Sequence, residues 1–193
     1  MKIVFATGNK GKLREAQEIL GPDFEIVTPR ELGITEDIPE TGETIEENSL
    51  QKVNYIRERT GLDCFADDTG LEVEALDGAP GVYSARYAGP GCTFDDNNNK
   101  LLHALEGQKN RRACFRCVVT LLLGDRKLCF EGRMDGRIAE NKAGCGGFGY
   151  DPVFIPDAYP DKTVAELGED VKNSISHRGQ AVRAMAKWLK ENS

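Results

Sequence analysis

The chain has 193 residues, of which 39% are hydrophobic and 30% are charged, as in an ordinary soluble protein. Its formal net charge of −7 argues against a general nucleic-acid-binding protein, because such proteins carry a basic face. The sequence begins with the strand-like segment 2–6 and no signal peptide, and no apolar run approaches the ~20 residues of a membrane span. We therefore expect a single cytoplasmic domain over residues 1–193 that binds neither a membrane nor nucleic acid.

The cysteines do not form a pattern that predicts disulfides or a metal site. Most of the 6 cysteines lie inside apolar, strand-like runs, where a free thiol behaves as a small hydrophobic side chain. Cys114 and Cys117 have the spacing of half a zinc site, but no second such pair follows and the chain has only 2 histidines. We therefore expect free, reduced cysteines.

The first candidate site is a glycine-containing turn between a strand and a helix. Segment 2–6 is typical of a buried strand, and apolar residues recur with a helical period from Leu13 to Leu20. The turn over residues 7–12 reads Thr-Gly-Asn-Lys-Gly-Lys, and free N–H groups at a helix N-terminus can hold a phosphate. The spacing is not that of a P-loop, and a plain turn with surface lysines is the alternative.

The second candidate site is a helix that follows the acidic loop 35–43. Thr44 and Glu47 have the spacing of a capping box, and the helix they open is expected to end at Gly61. Lys52 lies in the middle of this helix, where a lysine side chain is usually solvated. The functional alternative is that its ammonium reaches a phosphate while acidic side chains near the helix start reach a cation.

The central stretch of the chain, residues 64–71, reads Cys-Phe-Ala-Asp-Asp-Thr-Gly-Leu. It predicts a buried strand that ends at Asp67 and Asp68, with Gly70 allowing the backbone to turn. Adjacent side chains of an extended chain point to opposite faces, so one aspartate is expected to face a site and the other to brace the turn. An acid at the carboxyl end of a strand is well placed in a crevice of an α/β sheet. A solvated Asp-rich turn is the alternative.

Residues 93–123 and the segment that follows predict regular structure. Residues 93–105 have the period of a helix, whereas 112–123 alternate between apolar and polar side chains as a strand does. A turn at Gly124 then predicts a long antiparallel hairpin with a partner strand over 127–133.

The last third of the chain contains a glycine-rich loop, residues 144–152, around one Phe and one Tyr. Glycine allows close backbone approach, and an aromatic ring such as Phe148 can stack on a planar base. A flexible surface loop is the alternative. Three donors, Lys172, His177 and Arg178, are expected just before the N-terminus of a final amphipathic helix.

Taken together, these residues resemble the HAM1/RdgB-type noncanonical purine nucleoside triphosphate pyrophosphatases, the inosine/xanthosine triphosphatase family. The resemblance runs nearly from end to end, and no single motif would be specific. Thr69 stands where the family more often has Ser, and Cys145 where it usually has Thr. The motifs that carry the resemblance, in chain order, are 7–12 (TGNKGK), 40–42 (ETG), 47–48 (EN), 66–70 (ADDTG), 78–86 (GAPGVYSAR), 146–152 (GGFGYDP) and 176–179 (SHRG).

The resemblance implies an α/β fold with a long, mixed, twisted sheet, flanking helices and two lobes around a central nucleotide cleft. It also implies a homodimer and Mg²⁺-dependent hydrolysis of ITP, dITP and XTP to the nucleoside monophosphate and pyrophosphate, which would sanitise the nucleotide pool. A Maf-like or broader nucleoside triphosphate pyrophosphatase is one alternative, and a non-catalytic nucleotide-binding module is another.

The family's functional positions carry over to this chain as three groups. Asp68 is implied to be the catalytic base and a metal ligand, with Glu40 as a second acid at the metal. The phosphate-binding group comprises Thr7, Gly8, Asn9, Lys10, Gly11, Lys12, Lys52 and Lys172. The remaining contacts are implied for Thr69, which touches the substrate, and for the purine-binding residues Phe148, Gly149, Tyr150, Asp151, His177 and Arg178.

Overall fold

A computed structural model describes residues 1–192 of the chain. Strands and helices follow one another along the sequence, as the alternating apolar periods predict. The strands are β1 (Lys2–Phe5), β2 (Glu25–Val27), β3 (Cys64–Val73), β4 (Pro80–Gly81), β5 (Arg112–Leu123), β6 (Arg126–Ile138) and β7 (Phe154–Pro156). The α-helices are α1 (Lys10–Leu20), α2 (Ile45–Thr60), α3 (Phe94–Ala104), α4 (Glu169–Ile175) and α5 (His177–Asn192).

The strands form one mixed, 7-stranded sheet. Its hydrogen-bonded order is β2-β1-β3-β5-β6-β7, and β4 pairs with β3. The pairs β1–β2 and β1–β3 are parallel, with Val4 opposite Val27 and Phe5 opposite Phe65. The pairs β3–β4 and β6–β7 are antiparallel. The mixed sheet with flanking helices expected from the sequence is therefore confirmed.

The chain divides into two compact units, each made of several segments. Unit 1 contains residues 1–68, 117–132 and 178–193, and unit 2 contains residues 69–116 and 133–177. The core of unit 1 includes Phe5 and Phe65, whose rings stack with centroids 4.3 Å apart. The core of unit 2 includes Phe115 and Phe154, whose tilted rings lie 4.7 Å apart. That these units make a single domain stays a prediction.

The ends of α2 agree with the sequence pattern except at one hydrogen bond. The hydroxyl of Thr44 accepts from the Glu47 N–H at 3.1 Å, and Gly61 ends the helix in a left-handed conformation with φ of 68°. The Glu47 carboxylate, however, accepts from the N–H of Glu43 at 2.6 Å. The capping box is therefore only half formed, because the chain before the helix brings Glu43 to the carboxylate.

The aspartate pair lies inside a strand and not at its end, so this part of the prediction was wrong. β3 continues through Asp67 and Asp68 to Val73. The strand is extended because β4 pairs with its second half, with Leu71 opposite Gly81. The expectation that the two carboxylates face opposite ways follows from the extended backbone and is unaffected.

The C-terminal donors also lie within helices and not before one. Lys172 lies in α4, and His177 and Arg178 open α5. β6 runs to Ile138, beyond the predicted end at residue 133. All of the cysteines are free, as the sequence predicted. Within residues 1–192, none of the helices combines the length and the apolar character that a membrane span requires.

Candidate active site

Helix α2 is fixed to strand β3 in unit 1 by side chains that lie on one face of the helix. Ser49, which is fully buried, donates from its hydroxyl to the carbonyl of Ala66 at 3.0 Å. One turn later, the Lys52 ammonium donates to the carbonyl of Asp67 at 2.7 Å. These bonds satisfy polar backbone groups of a strand whose side chains here are mostly buried. The helix therefore sets the position of the aspartate pair.

The ammonium of Lys52 lies between two carboxylates of unit 1. It is 2.5 Å from Glu40 Oε1 and 3.5 Å from Asp68 Oδ1, and the lysine side chain is only 6% exposed. Burial alone would lower the pKa of Lys52, but Asp68, Asp67 and Glu40 raise it above its usual value. Lys52 is therefore a buried cation held in its charged form, not the solvated lysine that is usual in the middle of a helix.

Asp68 differs from an ordinary surface aspartate in its proton affinity. Burial raises the pKa of its carboxyl above the usual value, and the nearby charge of Glu40 acts in the same direction. Lys52 and a hydrogen bond from Asn48 oppose this shift without cancelling it. The balance leaves a carboxylate that is partly buried and more basic than usual, which suits a proton acceptor.

Glu40 and Asp68 also suit a hard divalent cation. Both supply carboxylate oxygens, and a cation beside them would offset the burial and the mutual repulsion that raise the pKa of Asp68. Among the described residues, no group of three or more His, Cys, Asp or Glu side chains is arranged to hold a metal ion. Mg²⁺ sites in proteins often use only one or two carboxylates, with water and substrate phosphate completing the coordination, and Glu40 and Asp68 supply two.

Asp67 is the most completely buried carboxylate of this cluster, with 1% of its surface exposed. Its oxygens lie 2.9 Å from the Lys12 ammonium and 2.9 Å from Nε of Arg178. Nη1 of the same arginine lies 3.5 Å from Glu15 Oε2. Burial alone would raise the pKa of Asp67, but Lys12 and Arg178 hold it well below its usual range. Asp67 is thus an ionised carboxylate that ties two cations of unit 1 together.

The N-terminus of α1 is capped by the side chain of Asn9, the residue before the helix. The side-chain oxygen Oδ1 of Asn9 accepts from the N–H groups of Gly11 at 2.8 Å and Lys12 at 3.1 Å, and the backbone N–H of Asn9 donates to the hydroxyl of Thr7. A helix start offers about four free N–H groups to an anion, so the asparagine uses two of those expected to meet a phosphate. Lys10 is exposed here, and Lys12 is only partly so.

Thr69, the neighbour of Asp68, begins unit 2. Its hydroxyl oxygen is buried and has no hydrogen-bond partner among the described residues. A buried hydroxyl without a partner costs about 1–3 kcal/mol, so such groups in folded proteins usually meet a ligand or an ordered water. This observation is consistent with the substrate contact expected for Thr69.

The glycine-rich loop of unit 2 is organised around Asp151. The Asp151 carboxylate accepts from the N–H of Phe148 at 2.9 Å and from the Lys172 ammonium at 2.5 Å. That ammonium also lies 4.2 Å from the centre of the Phe148 ring, a cation–π contact. A Cβ atom on Gly147 would come within 2.0 Å of Asp151 Oδ2, so the turn requires glycine there. Lys172, expected at the phosphates, therefore lies with the aromatic loop.

The aromatic residues of this loop differ in their exposure. Phe148 is 52% exposed, whereas Tyr150 is 5% exposed and donates from its hydroxyl to the Ser84 carbonyl at 2.7 Å. His177 is stacked on Phe115, with ring centroids 4.9 Å apart. Phe148 therefore leaves about half of its surface exposed to a planar ligand, with the Lys172 ammonium over the ring, while Tyr150 contributes to the core of unit 2.

The structure brings the expected site residues together as two groups. In unit 1, Lys12 and Arg178 meet at Asp67, and Lys52 meets Glu40 and Asp68. In unit 2, Lys172 and Asp151 meet at Phe148. The role of each expected site residue stays a prediction.

Two residues that support these groups were not singled out by sequence reasoning: Ser49, which bonds β3, and the buried Asn98 of α3. Asp67 was expected, with Asp68, as one of two aspartates on opposite faces of the chain. Its pairing with two cations, Lys12 and Arg178, was not predicted. For Ser49 and Asn98 no local pattern gave a signal.

Comparison with known proteins finds relatives over nearly the whole chain. The model of the Ham1 family matches residues 3–188. A Flavobacterium johnsoniae protein named dITP/XTP pyrophosphatase is 52% identical over 189 residues, which cover 98% of each chain, and a Porphyromonas gingivalis protein of the same name is 52% identical with 97% of each chain covered. The solved structure of the Staphylococcus aureus Ham1 protein has a TM-score of 0.93 and 40% identity over 100% of both chains. On this evidence the chain belongs to the Ham1 family.

Proposed function

We propose that this chain is a Mg²⁺-dependent pyrophosphatase that hydrolyses dITP, ITP and XTP to the nucleoside monophosphate and pyrophosphate. The observation that carries the proposal is the cluster in unit 1 in which one buried ammonium, that of Lys52, meets Glu40 and Asp68. The names of the relatives, dITP/XTP pyrophosphatase, support the substrate class. Cleavage falls between the α- and β-phosphates, since the products are a monophosphate and pyrophosphate.

Asp68 is the proposed acceptor of the proton that the attacking water loses. A carboxylate whose pKa is raised by burial and by Glu40 is a better acceptor for a proton of the attacking water than an ordinary aspartate. Glu40 and Asp68 would hold the Mg²⁺ ion, which when bound offsets negative charge that develops on the phosphate oxygens. Lys52, already fixed by its bond to the Asp67 carbonyl, adds a positive charge that needs no reorganisation during the reaction.

In this proposal the triphosphate and the base contact different residues. We assign the triphosphate to residues 7–12 and Lys52, and the purine ring to stacking on Phe148, with Gly149, Tyr150 and Asp151 shaping the loop around it. His177 and Arg178 are the donors for the 6-oxo group of hypoxanthine and xanthine. The 6-amino group of adenine is itself a donor, so it would leave these groups unpaired, and such mismatches can cost ~10⁴ or more in selectivity.

The test is the product formed from each nucleotide. The protein is incubated with Mg²⁺ and dITP, XTP, GTP, ATP or dTTP, and the products are resolved by ³¹P NMR. We expect pyrophosphate from dITP and XTP, little turnover of ATP, and loss of activity in EDTA that Mg²⁺ restores. Orthophosphate release, preferential hydrolysis of dTTP, or binding without hydrolysis would each contradict the proposal. The first two results indicate a broader or Maf-like enzyme, and the third indicates a binding module.

We further propose that the chain acts as a cytoplasmic homodimer. The support is the family membership, since a nucleotide pool is cleaned where nucleotides are used. Sedimentation velocity at micromolar protein concentration should give a single species of about twice the 21.2 kDa chain mass. A species with the mass of one chain under these conditions would contradict the dimer.

A further inference from the structure

Within unit 2, the first half of helix α3 contacts the glycine-rich loop through two side chains. The Phe94 ring lies 6.3 Å from the Phe148 ring, centre to centre, with the ring planes 43° apart. The side-chain amide of Asn98 donates to the carbonyl of Gly149 at 3.0 Å. Both contacts fall on the loop expected to hold the purine, and neither residue belongs to the motifs that carry the family resemblance.

The sequence fixes the start of α3 so that these two side chains share one face. The Thr93 hydroxyl accepts from the N–H of Asp96, and the Asp96 carboxylate accepts from the N–H of Thr93 at 2.8 Å, which completes a capping box. Phe94 is therefore the first residue of the helix. Asn98 lies four residues later, one turn along the same face.

A third contact joins the same helix turn to the chain before the loop. Asp95 and Lys142 form an ion pair, and both side chains are exposed, by 67% and 34%. Exposed ion pairs contribute little because water and salt screen them. Of the contacts that α3 makes, the ring of Phe94 and the amide of Asn98 are therefore the ones that can restrain the loop, in addition to the contacts of Lys172 with Asp151 and Phe148.

The loop needs a restraint from outside, because its backbone is rich in glycine. Gly147 and Gly149 both have positive φ, at 74° and 63°, on either side of Phe148. Glycine loses more conformational freedom on ordering than any other residue, so a ring flanked by two glycines is not fixed by its own backbone. Asp151 holds the N–H of Phe148 from within the turn, and Asn98 holds the Gly149 carbonyl from the helix.

The burial of Asn98 is consistent with a positioning role. The residue is 2% exposed, and its amide oxygen is buried without a hydrogen-bond partner among residues 1–192. A buried acceptor without a partner lowers stability, so an apolar side chain of similar size would serve the core better. The hydrogen bond to the Gly149 carbonyl is the interaction that an apolar side chain at this position would lack.

We propose that Phe94 and Asn98 are positioning residues for base recognition, which hold the Phe148 ring in the orientation that stacks on a purine. This inference rests on the proposed function, because it assumes that Phe148 meets the base. Bond cleavage at the phosphates leaves base stacking unchanged between ground state and transition state. Loss of such uniform binding raises KM and leaves kcat unchanged.

The test compares steady-state kinetics of dITP and XTP for Phe94→Ala, Phe94→Tyr and Asn98→Leu. His103→Ala is the matched control, because His103 lies on the same helix, is exposed and contacts Glu106 and not the loop. We expect KM to rise about fivefold in Phe94→Ala and Asn98→Leu, with kcat within about twofold of wild type. Phe94→Tyr keeps the ring and should restore the wild-type KM, as should the control.

A second measurement tests the restraint without any substrate. Hydrogen exchange of the ligand-free proteins, followed by mass spectrometry, should be faster over residues 144–150 in Phe94→Ala and Asn98→Leu, and unchanged in β5. Unchanged exchange in that loop, or a loss in kcat with KM unaltered, would overturn the positioning role. A wild-type protein that does not hydrolyse dITP or XTP would overturn the proposed function instead, and faster exchange in the variants would then still support the restraint itself.

Discussion

The candidate site residues of unit 1 and unit 2 differ in how they are held. In unit 1, Lys52 and Asp67 are almost completely buried, and ion pairs with their neighbours hold them in place. In unit 2, more than half of the Phe148 surface is exposed, and the ring is held between glycines by Asp151 and helix α3. The unit 1 group is buried and held by ion pairs between helices and the sheet, whereas the unit 2 ring is exposed on a loop that the Lys172–Asp151 ion pair and α3 support.

This difference fits the chemistry that each group is proposed to perform. Stabilising charge on phosphate oxygens is most effective when the cations are already oriented, because no reorganisation is needed during the reaction. A buried cation must also be paired, which explains why Lys52 lies against two carboxylates and one carbonyl. Stacking on a base requires an accessible ring surface, and an exposed phenylalanine on a glycine-rich loop provides one.

If the unit 1 group is held by buried ion pairs, the largest effect of a substitution should be a loss of stability at Asp67. Asp67→Asn removes the charge that compensates Lys12 and Arg178, and breaking a buried ion pair costs about 3–5 kcal/mol. Denaturant unfolding should therefore show a free energy of unfolding lower by that amount, whereas Asp125→Asn in an exposed turn should change it little. A loss below about 1 kcal/mol would show that unit 1 does not depend on this pair.

The same carboxylate predicts the direction of a pH effect on stability. Lys12 and Arg178 depress the pKa of folded Asp67, so its contribution is present above the ordinary aspartate pKa and is lost as pH falls through the folded value. The stability difference between wild type and Asp67→Asn should be complete at neutral pH and shrink below about pH 4. A difference that grew on acidification would contradict the assigned charge state.

The next effect is expected on catalysis, at Asp68. Asp68→Asn keeps the shape of the side chain and removes its charge and basicity, so kcat should fall by about 10² or more with the fold intact. The measurement is kcat at saturating Mg²⁺, with circular dichroism as the check on folding. Near-normal turnover would contradict the assignment, and Asp67 would then be the carboxylate to test.

How much of this could be predicted from the sequence depends on the range of the interactions involved. The strand predicted at residues 2–6, which the structure shows over 2–5, and the helix closed by Gly61 follow from local periods and end signals, whereas the mixed sheet was implied by the family resemblance. The position of Asp67 and Asp68 within β3 did not, because the strand is prolonged by pairing with Pro80 and Gly81, a contact made through the fold. Local turn chemistry at Gly70 was overridden by that pairing.

The roles of the candidate site residues came from the family resemblance, and they stay predictions. The resemblance implied Lys12, Lys52 and Lys172 as phosphate-binding residues. The contacts around Lys172 could not be predicted locally: the structure places its ammonium on Asp151 and over the Phe148 ring, within unit 2. These contacts join residues that lie at least 21 positions apart in the chain, so no local pattern signals them.

The division of labour between the two units is tested most directly by the base dependence of one variant from each unit. The measurement is kcat/KM for dITP and dATP with Lys12→Ala and His177→Ala, beside the wild-type protein. Lys12→Ala should lose about tenfold on dITP, since a charge-assisted contact contributes ~1.5–3 kcal/mol. We expect an unchanged dITP-to-dATP ratio for Lys12→Ala, because phosphates carry no base identity, and a ratio lowered by about threefold or more for His177→Ala, because His177 is a proposed donor to the 6-oxo group. Equal losses on both nucleotides in His177→Ala, or a changed ratio in Lys12→Ala, would contradict this division.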